Sequence, residues 1–134
     1  MSAPFADTHY YIALLNPNDT THERARKLSG ALHGGHATTM WVLVELANFL
    51  SAPRQREAFL RLYDRLRNNA KVMILPATPS RVDLAIDLYR RRPDKAWSLT
   101  DCMSFVVMRE HGLTDALTAD HHFAQAGFNA LLAQ

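Results

Sequence analysis

Apolar positions along the chain switch between short extended runs and helical spacing, and this alternation predicts an α/β architecture. Ala3 to Asp7 reads as a first strand, followed by a helix from about Thr8 to Leu15. Asn16-Pro17-Asn18-Asp19 is a cluster of turn formers. Thr20 and Glu23 have the spacing of a capping box, which predicts a helix running to about His33 and stopped by Gly34-Gly35. His36 to Thr39 reads as a second strand, and Trp41 to Leu50 as a helix apolar nearly all round and therefore buried. Pro53 leads into a helix reaching Arg67, with Phe59, Leu62 and Leu66 on one face. Lys71 to Pro76 is the clearest strand, closed by its proline. Pro79 to Arg91 reads as an amphipathic helix with Val82, Ala85, Ile86 and Tyr89 inward. Beyond the polar link Arg92 to Lys95, a helix from about Thr100 to His111 is stopped by Gly112. Asp115 to Thr118 and Phe128 to Leu132 read as the last strands. Strands separated by helices imply a mostly parallel sheet of about five strands, covered on both faces in three α/β/α layers.

Composition adds boundaries. The 134 residues suit one domain, 1–134, with one core, and no repeat, linker or low-complexity tract interrupts it. Hydrophobic and charged contents of 48% and 21% are those of an ordinary globular protein. The longest apolar stretch, Met40 to Leu50, is too short for a membrane span and carries Glu45 in its middle, so no membrane association is expected. The N-terminus lacks the basic start and long apolar stretch of a signal peptide, and Cys102 is the only cysteine; both suit a cytoplasmic protein. A net charge of +2 gives little general pull on polyanions, so nucleic-acid binding requires a local basic patch.

Four acids break the hydrophobic pattern. Asp7 is the only Asp, Glu, Lys or Arg in the first eighteen residues, and Glu45 the only one between Ala37 and Ala52. Asp101 opens Cys102-Met103-Ser104-Phe105-Val106-Val107-Met108, and Asp120 closes Ala116-Leu117-Thr118-Ala119. A carboxylate in apolar surroundings is costly unless something compensates it. Asp7 and Asp120 fall at or just past strand ends, the edge where open parallel sheets bind ligands; Asp101 and Glu45 fall on helices able to reach that edge. Four carboxylates in one cleft repel each other unless a divalent cation neutralises them. All-oxygen ligation suits Mg²⁺ or Mn²⁺, which polarise phosphoryl oxygens and so point to phosphoester chemistry. Each acid also has a structural reading. Asp101 suits a helix N-terminus, and Asp7 and Asp120 suit caps or turns; Glu45, on an apolar helix, has no such role.

At these residues the sequence resembles the PIN-domain nucleases, and among them the VapC-like toxins of toxin–antitoxin pairs. The likeness lies in Phe5-Ala6-Asp7-Thr8, in Thr38-Thr39 through Val44-Glu45-Leu46, in Ser98-Leu99-Thr100-Asp101-Cys102-Met103-Ser104-Phe105, and in Ala116 through Phe128. It covers essentially the whole chain. The resemblance implies a compact α/β/α fold and a Mg²⁺- or Mn²⁺-dependent endoribonuclease in which a metal-activated water attacks an RNA phosphodiester. It implies that Asp7, Glu45 and Asp101 hold the principal metal, with Asp120 completing the pocket or serving a second ion, and that Thr8 and Thr118 orient carboxylates or water. A homodimer and a cognate antitoxin are the partners it implies; a free-standing RNA-processing nuclease is the alternative.

Other features carry less. Arg54, Arg61 and Arg65 share a helical face best read as solvated, whereas Arg90-Arg91-Arg92 and Lys95 are close to Asp101 in sequence and better placed to meet RNA, so Arg91 and Arg92 are candidate substrate contacts. His121-His122 lack zinc-site spacing, and Cys102 reads as core. An aspartyl phosphatase needs an acid where His9 stands. A response-regulator-like signalling module needs paired acids by the first strand and a late lysine, and no lysine follows Lys95. A non-catalytic PIN scaffold is at odds with the complete acidic set.

Overall fold

The computed structural model describes residues 3–133. Its elements in chain order are β1 (Phe5–Ala6), α1 (Thr8–Leu15), α2 (His22–Ala31), β2 (His36–Thr39), α3 (Met40–Phe49), α4 (Pro53–Arg67), β3 (Val72–Leu75), α5 (Pro79–Arg91), α6 (Leu99–Glu110), β4 (Asp115–Leu117), α7 (His121–Gln125) and β5 (Asn129–Ala130). The strands form one sheet in the order β3-β2-β1-β4-β5, and every pairing is parallel. Phe5 of β1 pairs with Ala37 on one side and Ala116 on the other. The chain therefore builds outward from β1 to β3, then crosses back to lay β4 on the opposite edge of β1. That reversal opens a crevice beyond the carboxyl ends of β1 and β4.

The central strands are short and largely buried, as strands covered on both faces must be. Phe5, Ala6, Ala116 and Leu117 belong to a hydrophobic core that also takes in Leu43 and Leu46 of α3 and Phe105, Val107 and Met108 of α6. Phe105 is its aromatic hub, with ring centroids 5.0 Å from both Trp97 and Phe123 in edge-on contact and 5.6 Å from Phe128. Replacing it leaves a cavity ringed by three aromatic side chains. Phe105→Ala is expected to lower unfolding free energy by about 3–5 kcal/mol, read from a denaturant midpoint; a loss below about 1 kcal/mol contradicts the hub role.

Several local expectations change. Helix α2 is not opened by a Thr20–Glu23 box: Asp19 accepts hydrogen bonds from Thr21 N (2.9 Å) and Thr21 Oγ1 (2.6 Å), and Glu23 pairs with Arg26 instead. The turn closed by Asp19 makes Thr21, not Thr20, the N-cap residue, so Thr20 and Glu23 do not stand at the two box positions. The reciprocal box lies on α6, where Ser98 Oγ accepts from Asp101 N and Asp101 Oδ2 accepts from Ser98 N, each at 3.0 Å. Helix α3 is buried on one side only, since Val44 and Phe49 are 53% and 59% exposed. On α5 the buried line is Ala85 and Leu88; Ile86 and Tyr89, expected inward, are exposed. Helix α7, with five residues, is too short to show a hydrophobic period in the sequence.

Candidate active site

Three of the four isolated acids stand at helix N-termini. Asp7 is the N-cap position of α1 directly after β1, Asp120 caps α7 by accepting from His122 N at 2.9 Å, and Asp101 is the third residue of α6 within its capping box. Helix N-termini present unpaired N–H groups and a partial positive charge, so they favour carboxylates. The structural readings of Asp101 and Asp120 are thus correct, and they also account for how these acids are held. Glu45 arrives differently, from the second turn of α3. The capping hydroxyl of Thr39, which accepts from Val42 N, sets the start of that helix at the end of β2.

These elements bring Asp7, Glu45, Asp101 and Asp120 to the walls of one cavity of about 390 Å³ at the β1/β4 crevice. Thr8, His9, Phe49, Ser98 and His122 also line it. No lysine or arginine does so among the described residues. Thr8 Oγ1 donates to Glu45 Oε1 at 2.5 Å, and Thr118 Oγ1 donates to Asp7 Oδ2 at 3.0 Å while accepting from Asp120 N at 3.0 Å. Both threonine hydroxyls, expected to orient carboxylates or water, are therefore engaged by carboxylates. His122 Nδ1 lies 3.1 Å from Asp101 Oδ2 and 3.3 Å from Asp120 Oδ1, bridging the two acids.

Electrostatics show the strain of this gathering. Burial pushes the Asp7 carboxyl up to about 7; the Thr118 hydroxyl opposes the shift, and the Asp101 and Glu45 charges add to it. Asp101 is also raised, first by burial and further by the Asp120 charge, against the Ser98 backbone N–H and His122. Two acids held above their ordinary range in a cavity without a cationic wall are a donor set that a divalent cation fits.

The other sequence candidates separate. Arg92 lines a neighbouring cavity of about 610 Å³ and is paired with Asp94, while Arg91 is exposed, paired with Asp87 at 3.1 Å, and lines neither cavity. His122 belongs to the site although its spacing does not single it out. Its signal is its place two residues after Asp120, legible only once Asp120 is known to cap a helix. Among the described residues the group whose ligand atoms all lie within 4.8 Å of one another is Asp120, His121 and His122; the four acids share the cavity walls at wider spacing.

Comparisons with known proteins agree with this architecture. The PIN domain model matches residues 5–129. The 23S rRNA-specific endonuclease VapC20 of Mycobacterium tuberculosis is 28% identical over 124 residues, covering 92% of this chain and 94% of the relative. The crystal structure of M. tuberculosis VapC20, described as a sarcin-ricin loop cleaving toxin, superposes with a TM-score of 0.85 at 27% identity, covering 94% of this chain and 96% of the other. FitAcB from Neisseria gonorrhoeae superposes at 0.64 with 18% identity, covering 94% of each chain, a likeness of fold alone. With the family model spanning nearly all of the described residues, and the acids of the sequence motifs meeting at the crevice of the matching fold, the chain is a member of the PIN-domain family.

Proposed function

We propose that this protein is a Mg²⁺- or Mn²⁺-dependent endoribonuclease, hydrolysing RNA phosphodiester bonds as the toxin of a toxin–antitoxin pair. The observation that carries the reading is the convergence of Asp7, Glu45, Asp101 and Asp120, drawn from four distant segments, on one cavity without a cationic wall. The likeness to VapC20, itself named a 23S rRNA-specific endonuclease, supports RNA as the substrate and ribosomal RNA as the first to test. Asp7, Glu45, Asp101 and Asp120 would hold the cation. When bound, a divalent cation supplies Lewis-acid polarisation of the phosphoryl oxygens and a hydroxide at neutral pH.

The chain's own residues do the rest. Thr8 and Thr118 hold the Glu45 and Asp7 carboxylates in place by donating to them. His122 fixes the relative position of Asp101 and Asp120, and the Ser98–Asp101 box ties that position to α6. Because burial favours the protonated form of Asp7, loading the site releases a proton from it.

The described residues contain no helix long and apolar enough to cross a membrane, and a cytoplasmic enzyme, acting as a homodimer with an antitoxin partner, fits this reading. A free-standing RNA-processing nuclease is the second form of it. Cleavage of a ribosomal RNA fragment with Mn²⁺ or Mg²⁺, its loss in EDTA and its return on adding excess metal are the expected results. Cleavage that persists in EDTA rejects the metal-dependent mechanism. Growth arrest on expression, relieved by co-expressing the product of the adjoining reading frame, would distinguish the toxin from the free-standing enzyme.

A further inference from the structure

The acidic cavity opposes the approach of a polyanion until cations occupy it, so an RNA-cutting site needs attraction from somewhere beside it. The adjoining cavity of about 610 Å³ is lined by Tyr89, Arg90, Arg92, Lys95 and Trp97, and Ala96 lines both cavities. Among the described residues no acidic side chain lines this groove. Its cations differ in kind. Arg92 is committed: it grips Asp94 through Nε and an Nη at 3.0 Å each, and its guanidinium lies 5.2 Å from the Trp97 ring centroid. Trp97 is buried and tied by its Nε1 to Gln125 Oε1 at 3.0 Å, so together the two form a rigid wall. Arg90 and Lys95, by contrast, make no ion pair among the described residues.

Tyr89 is the other anomaly. It lies on α5 at a helical spacing suited to the core, yet it is 54% exposed and lines the groove instead. An aromatic surface flanked by two such cations matches what an unstacked nucleotide presents, a π-face and two flanking phosphates. The link that carries the groove runs directly into Ser98, whose capping box holds Asp101. Groove and acidic cavity are thereby fixed relative to each other by a short, internally bonded segment. A third cavity, sharing Ile12 and Phe49 with the acidic one, carries only Arg54 as a cation and lacks this combination.

We infer that Tyr89, Arg90 and Lys95 form a single-stranded RNA subsite, in which a nucleotide beside the scissile phosphate lays its base on Tyr89 while Arg90 and Lys95 hold its flanking phosphates. The inference rests on the ribonuclease reading for its substrate, and it adds that the substrate must be unpaired at that nucleotide. Duplex RNA cannot offer the base face, so it binds this groove only through its backbone.

The probe is a short fluorescein-labelled single-stranded RNA, titrated with the protein in EDTA across a series of salt concentrations, with the same sequence as a duplex for comparison. Tyr89→Leu should weaken binding of the single strand about tenfold, leave duplex binding unchanged and be rescued by Tyr89→Phe. Arg90→Ala and Lys95→Ala should each reduce the slope of log affinity against log salt by about 0.7, the value for one lost phosphate contact on a single strand. Arg26→Ala, paired with Glu23 and outside both cavities, should change neither quantity. In cleavage assays with Mn²⁺, Tyr89→Leu should raise KM about tenfold with kcat nearly constant. Single-strand affinity, salt slope and KM all at wild-type values in the Tyr89, Arg90 and Lys95 variants would overturn the subsite even if the enzyme cuts RNA. RNA binding with this dependence in a protein that cuts nothing would leave the subsite standing and reject the nuclease reading.

Discussion

Asp101→Asn is expected to lower metal-dependent RNA cleavage by about a thousandfold or more while leaving the protein folded, because it removes several kcal/mol of charge stabilisation without removing the side chain's bonds. Asp101 Oδ2 accepts from Ser98 N at 3.0 Å, and the Oδ1 of asparagine can accept the same bond, so the capping box that opens α6 survives. What disappears is the negative charge shared with Asp7, Glu45 and Asp120 across one cavity. Activity of Asp7→Asn should fall by a similar factor, since its amide oxygen can still accept from Thr118 Oγ1 while the cation loses a ligand charge. Asp115→Asn is the control. That carboxylate accepts from Asn129 Nδ2 at 2.9 Å at the first residue of β4, the end away from the crevice, and lines no part of the cavity. Initial rates under saturating Mn²⁺, alongside thermal melts, separate the cases. Activity within about tenfold of wild type in both site variants would reject the acidic cluster as the catalytic centre.

The same Asp7→Asn substitution should stabilise the metal-free protein at pH 8, a reversal of the usual effect of altering a buried group. Burial holds the folded Asp7 carboxyl at about 7, against 3.8 for the unperturbed group. Between those values the folded chain keeps a proton that the unfolded chain releases, so stability falls as pH rises from about 4 to about 7 and is level above that. At 1.36 kcal/mol per unit, the whole penalty is on the order of 4 kcal/mol, present above the folded pKa and absent below the unfolded one. Asparagine carries no such charge and escapes it. In EDTA, then, the variant should melt well above wild type at pH 8, and the gap should close towards pH 4. Raised in the same direction by burial, Asp101 steepens the wild-type loss. Saturating Mn²⁺ should reverse the order, because a cation that binds only the folded, ionised site stabilises wild type by mass action. A variant no more stable than wild type in EDTA at pH 8 would show that the folded site does not resist ionisation of Asp7.

Both expectations concern residues that the sequence alone singles out. Asp7, Glu45, Asp101 and Asp120 stand out because charge interrupts hydrophobic sequence, and that cost is local enough to read along the chain. The alternation of strands and helices is equally legible: each expected segment is met by an observed element, with every strand but β2 shorter than expected, and α7 is the one addition among the described residues. His122 is not legible. Its imidazole bridges Asp101 and Asp120 only because α7 turns there, and a helix of five residues leaves no periodic trace. The capping box expected on α2 fails because the Asp19 turn makes Thr21 the N-cap and starts the helix one residue later, a shift set by backbone geometry and not by spacing.

By itself the sequence determined the fold class and singled out the four isolated acids, since hydrophobic period and the cost of an isolated charge are properties of neighbouring residues. Only the tertiary structure decided the strand order β3-β2-β1-β4-β5, which opens the crevice at β1 and β4 and brings acids from four segments to one cavity. It also decided which face of α5 is buried, turning Tyr89 outwards beside Arg90, and which arginines are engaged, tying Arg91 to Asp87 and Arg92 to Asp94. Those choices depend on which surfaces meet across the sheet, and such long-range packing is not encoded in the spacing of any one segment.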